Sequence, residues 1–387
     1  VDINRRIKSL VGSSTLAITA RAKELCAQGQ DVVSFAGGEP DFDTPPEIKQ
    51  AAIRAIEDGY TKYTPSVGSL ELRQLISKKF ARENNLAYTP EQIVVSCGAK
   101  HSLYNVIQVL ADDGDEVLIP SPYWVSYPEM VKVSGATSRF IPTTAESHFK
   151  INAAMLKQHI TKQTKILILN SPSNPTGMVY SLEELRPIAE LCVKNRIWII
   201  SDEIYEKLIY ESSTCPSIAA LGPEAYAKTI TVNGFSKAFS MTGWRVGYCA
   251  GPQEIMDYVK KFQDHSTSNP SSISQKAALQ ALSSSEESIL AMREEFKQRR
   301  DLLMSLMDKI PGITYIKPEG AFYLFCDFSA LGDSQDVARR ILNDVNVALI
   351  PGDGFGAPGF MRLSFSTSKE RIQEGVKRLA GWIAKNR

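Results

Sequence analysis

Five stretches of this chain place polar or aromatic groups directly after a short apolar run. Gly98-Ala99-Lys100 follows Ile93 to Cys97, and Ser121-Pro122-Tyr123-Trp124 follows Val117 to Ile119. Asn170 to Gly177 closes the run Ile166 to Asn170, Asp202-Glu203-Ile204-Tyr205 closes Trp198 to Asp202, and Gly234-Phe235-Ser236-Lys237 closes Thr229 to Asn233. An amide, a carboxylate, a phenol, an indole and a primary amine at one sheet edge could cradle a flat, charged, aromatic molecule. The indole can stack on it, the acid and phenol can meet its heteroatoms, and the amine can act as nucleophile or base. Each residue alone has a plainer reading: Lys237 as a solvated lysine, Asp202 as a helix N-cap, Trp124 and Tyr205 as packing residues, Arg245 as a structural ion-pair partner. The set, not any member, carries the signal.

These runs, with a further one at Val246 to Ala250, alternate with helical patterns from about residue 90 to 250. Lys100 to Leu110 has helical periodicity, and Ser181 to Lys194 opens with the capping box Ser181-Leu-Glu-Glu184. Near-continuous apolar strands separated by helices predict an α/β fold with a mostly parallel sheet covered on both faces, whose ligands sit beyond the strand carboxyl ends. Thr44-Pro45-Pro46-Glu47 reads as the start of a helix, capped by the threonine. After about residue 285 a long charged helical pattern (285–309), strand-like Phe322 to Phe325 and Met361 to Phe365, and helical patterns over 334–343 and 370–385 predict a smaller α/β unit. The expected division is a large domain over 48–285 and a small domain of 286–387 joined by 1–47 as an N-terminal arm.

The chain has 387 residues, net charge +1 and 43% hydrophobic residues, values of a globular protein without the basic field of a nucleic-acid binder. No apolar run approaches the roughly 18 to 20 residues of a membrane helix. The six cysteines are dispersed, without a Cys-x-x-Cys pair, so reduced thiols and a cytoplasmic location are expected. The four histidines lack ligand spacing, and no metal is expected. Gly354-Phe-Gly356-Ala-Pro-Gly359 matches a dinucleotide fingerprint, but Pro358 and a strand-like run follow where a helix must open, so a loop is expected.

In order along the chain, Ala36-Gly37-Gly38-Glu39-Pro40-Asp41-Phe42, Lys62-Tyr63-Thr64-Pro65, Ser121-Pro122-Tyr123-Trp124, Asn170-Ser171-Pro172-Ser173-Asn174-Pro175-Thr176-Gly177, Ser201-Asp202-Glu203-Ile204-Tyr205 and Ser236-Lys237-Ala238-Phe239-Ser240-Met241-Thr242-Gly243-Trp244-Arg245 resemble the class I pyridoxal 5′-phosphate-dependent aminotransferases, in particular the bacterial aspartate branch. The resemblance covers essentially the whole chain and implies the fold type I architecture of that family. It also implies that Lys237 forms the internal Schiff base and relays the proton, that Asp202 faces the pyridine nitrogen, and that Tyr205 and Asn174 bond the phenolic oxygen. Trp124 would stack on the ring. Ser236, Arg245 and the N–H groups of Ala99 and Lys100 would hold the phosphate, joined by Tyr63 from the other subunit of a homodimer with shared sites. Arg362 would fork onto the substrate α-carboxylate, and Gly38 would touch the same substrate through its backbone.

The animal-type enzymes of this family bind the side-chain carboxylate through a second arginine, and none stands near His265 to Pro270. In the bacterial branch a lysine matching Lys100 takes that role, helped by hydroxyls matching Ser13 and Thr15, so the resemblance implies transamination of L-aspartate with 2-oxoglutarate. Val11-Gly12 stands where prephenate-using members carry a basic residue. Prephenate or aromatic transamination, a carbon–sulfur lyase on the same lysine, and a cofactor-binding protein without catalysis are the alternatives.

Overall fold

The computed structural model describes residues 2–12, 14–212 and 214–386, the side chains of Ser14 and Leu16 aside. The main sheet has seven strands: β1 (Ile93–Ser96), β2 (Glu116–Ser121), β3 (Thr137–Pro142), β4 (Thr164–Asn170), β5 (Trp198–Asp202), β6 (Thr229–Gly234) and β7 (Gly247–Ala250). Their spatial order is β1-β7-β6-β5-β4-β2-β3. The five strands β2 to β6 pair in parallel, while β7 runs antiparallel to β6 and to β1.

Period-two alternation sends successive apolar residues to opposite faces. Ile166, Ile168 and Ile200 pack with Leu103, Val106 and Ile107 of helix α1 (Ala99–Leu110). Leu167, Leu169 and Ile199 pack on the other side with Leu185, Ile188 and Cys192 of α2 (Leu182–Lys194). The box at the start of α2 forms as read: Ser181 Oγ accepts the Glu184 N–H at 3.3 Å, and Glu184 Oε2 accepts the Ser181 N–H at 2.8 Å. Strand β3 was not legible in the sequence. It lies at the sheet edge with Thr137, Phe140 and Pro142 exposed, so it has no continuous apolar run.

A second, antiparallel sheet comprises β8 (Thr314–Tyr315), β9 (Tyr323–Asp327), β10 (Ile350–Pro351) and β11 (Phe360–Ser364), in the order β10-β11-β9-β8. It packs with α3 (Glu287–Met307), α4 (Ser334–Val345) and α5 (Lys369–Asn386). Val33–Ser34 pairs in parallel with Val347–Ala348, and Val33 and Phe35 enter the same core as Leu324, Leu363 and Leu379. Of the residues before this strand, Ala22 and Leu25 pack with Phe325 and Ile350 of the small sheet and with Leu342 of α4, while Arg6 ion-pairs with Asp113 at 2.6 Å and the Val11 N–H donates to Glu129 at 2.9 Å, both beside the main sheet.

Two local expectations are corrected. The helix after Thr44 runs over Pro46–Glu57 with Pro45 in the capping position and no side-chain cap. Thr44 Oγ1 donates instead to the Ser240 carbonyl at 2.6 Å and accepts from Trp244 Nε1 at 2.9 Å, tying this loop to the segment after Lys237. Asp202 caps no helix: its Oδ1 accepts the Ile204 N–H at 3.3 Å within a turn. Gly354 to Gly359 opens no helix either, since a 3₁₀ turn at Gly352–Phe355 leads into β11. Among the described residues no helix is long and apolar enough to cross a membrane.

Candidate active site

The carboxyl ends of β4, β5 and β6, the start of α1 and one strand of the small sheet converge on a single cleft. Asp202, the last residue of β5, is 4% exposed, and its Oδ2 accepts from the Tyr127 hydroxyl at 2.6 Å. Burial pushes this carboxyl up to about 6, and the Tyr127 hydroxyl opposes the rise. Asn170 closes β4 and joins the neighbouring ends: its Nδ2 donates to the Asp202 carbonyl at 3.0 Å, and its Oδ1 accepts the Asn174 N–H at 2.8 Å.

Lys237 follows β6. Its Nζ donates to the Gly38 carbonyl at 2.5 Å and stands 5.8 Å from the Tyr205 ring centre and 5.7 Å from that of Phe322. Burial lowers its ammonium to about 8; Glu39 works against this, and Arg362 with it. The buried Tyr205 hydroxyl lies 2.8 Å from that of Tyr323, and burial drives it well above the ordinary phenol range.

Arg362, from β11, is 3% exposed. Its Nη1 donates to Asn174 Oδ1 at 3.0 Å and its Nη2 to the Ala36 carbonyl at 3.1 Å, while its guanidinium stacks 4.3 Å from the Tyr323 ring centre. Arg362 Nε is buried without a partner among the described residues. Both terminal nitrogens of the fork are thereby oriented by the protein, and each keeps a second N–H.

At the other end of the cleft, Gly98 (φ +90°) is the residue before α1, so no side chain covers the first turn of that helix. A Cβ there would stand 2.7 Å from Arg245 Nη2, and one on Gly247 would stand 2.2 Å from the Ala99 nitrogen. Only glycine allows this close backbone approach. Arg245 is exposed and donates to the carbonyls of Thr242 (2.9 Å) and Cys97 (3.3 Å). Ser236 is buried two residues past the end of β6, directly before Lys237. The Lys100 Nζ stands 4.8 Å from the Trp124 ring centre, and desolvation together with Arg245 lowers its pKa.

The structure thus joins Lys237 to Gly38 and Tyr205, Asn174 to Arg362, and Lys100 to Trp124. Tyr63 is set apart, 91% exposed. Thr15 is half-buried in the helix Ser14–Ala27, where its carbonyl accepts from Thr19 at 2.8 Å, and Ser13 lies outside the described residues. Sequence reasoning missed Tyr127, Tyr323 and Asn170 as positioning groups. Tyr127 stands three residues after Trp124, a spacing that could have marked it, and Tyr323 begins a strand where apolar burial was expected.

The donor set fits a phosphorylated pyridine aldehyde. A buried acid, a phenol and an amide face the place of a heteroaromatic ring, an amine of lowered basicity stands beside them, and an uncapped helix start with Arg245 suits a dianion. The planar guanidinium of Arg362, with more N–H donors than its two protein bonds use, suits a carboxylate.

Comparison with known proteins agrees. Residues 30–379 match the family model for aminotransferase class I and II. The aspartate aminotransferase of Geobacillus stearothermophilus is 49% identical over 385 residues, 98% of each chain. The probable aspartate/prephenate aminotransferase of Aquifex aeolicus is 47% identical over 380 residues, 97% of this chain and 96% of its own. The aspartate aminotransferase from Thermus thermophilus with maleate superposes with a TM-score of 0.95 at 42% identity, covering 98% of this chain and 99% of the other. With the cleft's donors and a match over nearly its whole length, the chain belongs to the class I and II aminotransferases, enzymes that depend on pyridoxal 5′-phosphate.

Proposed function

We propose that the protein transfers the amino group of L-aspartate to 2-oxoglutarate, giving oxaloacetate and L-glutamate in two successive half-reactions at this one site. The observation that carries the reading of an amino-acid substrate is Arg362, buried and oriented by Asn174 and the Ala36 carbonyl, in the same cleft as Lys237. A dicarboxylic substrate is supported by Lys100 over Trp124, by relatives named aspartate aminotransferases, and by the structure of the Thermus thermophilus relative with maleate, itself a dicarboxylate.

When bound, pyridoxal 5′-phosphate supplies an aldehyde for an amine and a ring that draws negative charge away from the substrate α-carbon. Lys237 would hold that aldehyde and, as a free amine, move the proton between the α-carbon and the cofactor's C4′. Its lowered basicity leaves more neutral amine at neutral pH. Asp202, oriented by Tyr127, would face the ring nitrogen. Tyr205 and Asn174 would donate to the phenolic oxygen, Trp124 would cover a ring face, and Ser236, Arg245 and the N–H groups of Ala99 and Lys100 would hold the phosphate. Arg362 would bind the α-carboxylate with Gly38 alongside it, and Lys100, with Ser13 and Thr15, the side-chain carboxylate.

The exposed Tyr63 supports a homodimer in which it completes the phosphate site of the partner. The two sheets with their separate helices support a large domain over 48–285 and a small domain of 286–387 with 1–47, and the dispersed free cysteines support a cytoplasmic enzyme.

The test is the visible absorbance of purified, cofactor-loaded protein, titrated with L-aspartate and no keto acid. The band is expected to bleach. A band indifferent to aspartate and glutamate would sink the substrate assignment; in that case prephenate, named in several relatives, is the acceptor to assay.

A further inference from the structure

The turn after β5 has two faces, and the proposed chemistry uses only one. Asp202 and Tyr205 line the cleft. Glu203 and Glu206, each one residue further on, are 2% and 9% exposed and are bonded within the protein interior. Glu203 Oε1 accepts from Ser201 Oγ and Ser217 Oγ, both at 2.7 Å. Glu206 Oε1 ion-pairs with Lys79, and its Oε2 accepts from Asn84 Nδ2 at 2.8 Å. Lys79 Nζ closes the triangle on Asn84 Oδ1 at 2.7 Å. Lys79 and Asn84 both sit in the helix Leu70–Asn84, at 4% and 7% exposure. Glu83 stands 3.6 Å from Lys79 and 2.9 Å from Lys207. A small cavity of about 30 Å³, lined by Lys79, Glu206, Gly234 and Ala238 among others, continues this network beneath the segment that carries Lys237.

Buried ion pairs are poor stabilisers, because desolvation offsets most of their attraction, but they fix direction. The direction fixed here is that of a tight turn. The Glu206 N–H donates to the Glu203 carbonyl at 2.9 Å and the Leu208 N–H to the Tyr205 carbonyl at 2.8 Å, two overlapping bonds that fix the turn in which Tyr205 directly precedes Glu206. We propose that Lys79 is a positioning residue which, through Glu206 and Asn84, holds the turn that presents Asp202 and Tyr205 to the cofactor. The inference rests on the assignment of those two residues to the cofactor.

The test compares wild type with the double variant Lys79→Met/Glu206→Leu, which removes both charges together. Affinity for pyridoxamine 5′-phosphate, which needs no bond to Lys237, is measured on protein freed of cofactor, with amide hydrogen exchange over residues 203–208. The double variant is expected to keep its melting temperature, to lose about tenfold in affinity and to exchange faster across the turn. In the loaded enzyme its kcat for the aspartate half-reaction should fall with little change in KM, and Lys79→Arg should keep most of the affinity. A folded double variant with wild-type affinity and exchange would overturn the proposal. Should it not fold, Glu206→Gln, which retains the side-chain length, is judged by the same two readouts. Wild-type protein that binds pyridoxamine 5′-phosphate but does not respond to aspartate removes the substrate reading and leaves the affinity comparison standing.

Discussion

The floor of the cleft and its rim are built on opposite plans. Asp202, Tyr205, Asn174 and Arg362 are each less than a tenth exposed and already hydrogen-bonded to Tyr127, Tyr323, one another or the backbone. Gly38, Lys100, Arg245 and Tyr63 are exposed. In the floor, low dielectric strengthens each polar contact and folding has already fixed the directions. At the rim, side chains keep contact with water and gain their order from what they bind, so each contact there is individually weaker and easier to exchange. On the proposed assignment, α-carboxylate recognition falls to Arg362 in the floor and side-chain discrimination to Lys100 at the rim.

Lys237 stands at the junction of the two, and its removal is expected to have the largest effect. Lys237→Ala should reduce transamination by about a thousandfold or more, the range of a lost acid–base group, while leaving a folded protein that binds the cofactor without a covalent bond. Steady-state assay and gel filtration check it, and turnover near the wild-type rate would break the assignment. Next comes the floor. Arg362→Lys keeps the charge but loses the fork, and kcat/KM for every amino acid should fall by about a hundredfold, because the α-carboxylate is common to all substrates. A loss confined to aspartate would show that this floor residue reads the side chain instead. The smallest effect is expected at the rim: Lys100→Met should lower kcat/KM for aspartate about three- to tenfold while sparing phenylalanine, with a dependence on salt that the Arg362 variant lacks. Equal losses for both amino acids would erase the contrast between floor and rim.

The same contrast explains what could be read from the sequence. Strands β4, β5 and β6 were legible because both of their faces are buried, which draws apolar residues to both, as at Ile166 to Leu169 and Ile199-Ile200, and the residues just past their ends were legible because the apolar run stops there. Edge strand β3 lacks that constraint and was missed. Tyr127 and Tyr323 look like core aromatics in sequence, since their hydroxyl partners, Asp202 and Tyr205, come from 75 and 118 residues away. Thr44 was mistaken for a helix cap because its true partners, Ser240 and Trp244, also lie far along the chain. Local rules recover what local physics fixes. They do not reach a hydrogen bond closed by the fold.

Asp31 ion-pairs with Arg371 at 2.8 Å and also with Arg378, two residues before the strand Val33–Ser34 that pairs with Val347–Ala348. During synthesis on the ribosome, residues 31 to 35 therefore emerge more than 300 positions before their partners. The seven strands of the main sheet are complete by Ala250, so that sheet can assemble while the early strand waits. The small sheet and its helices can close only when α5 (Lys369–Asn386) has been made. The order of translation thus places Val33 and Phe35, which end fully buried, on the chain long before Leu324, Leu363 and Leu379, the core residues they join.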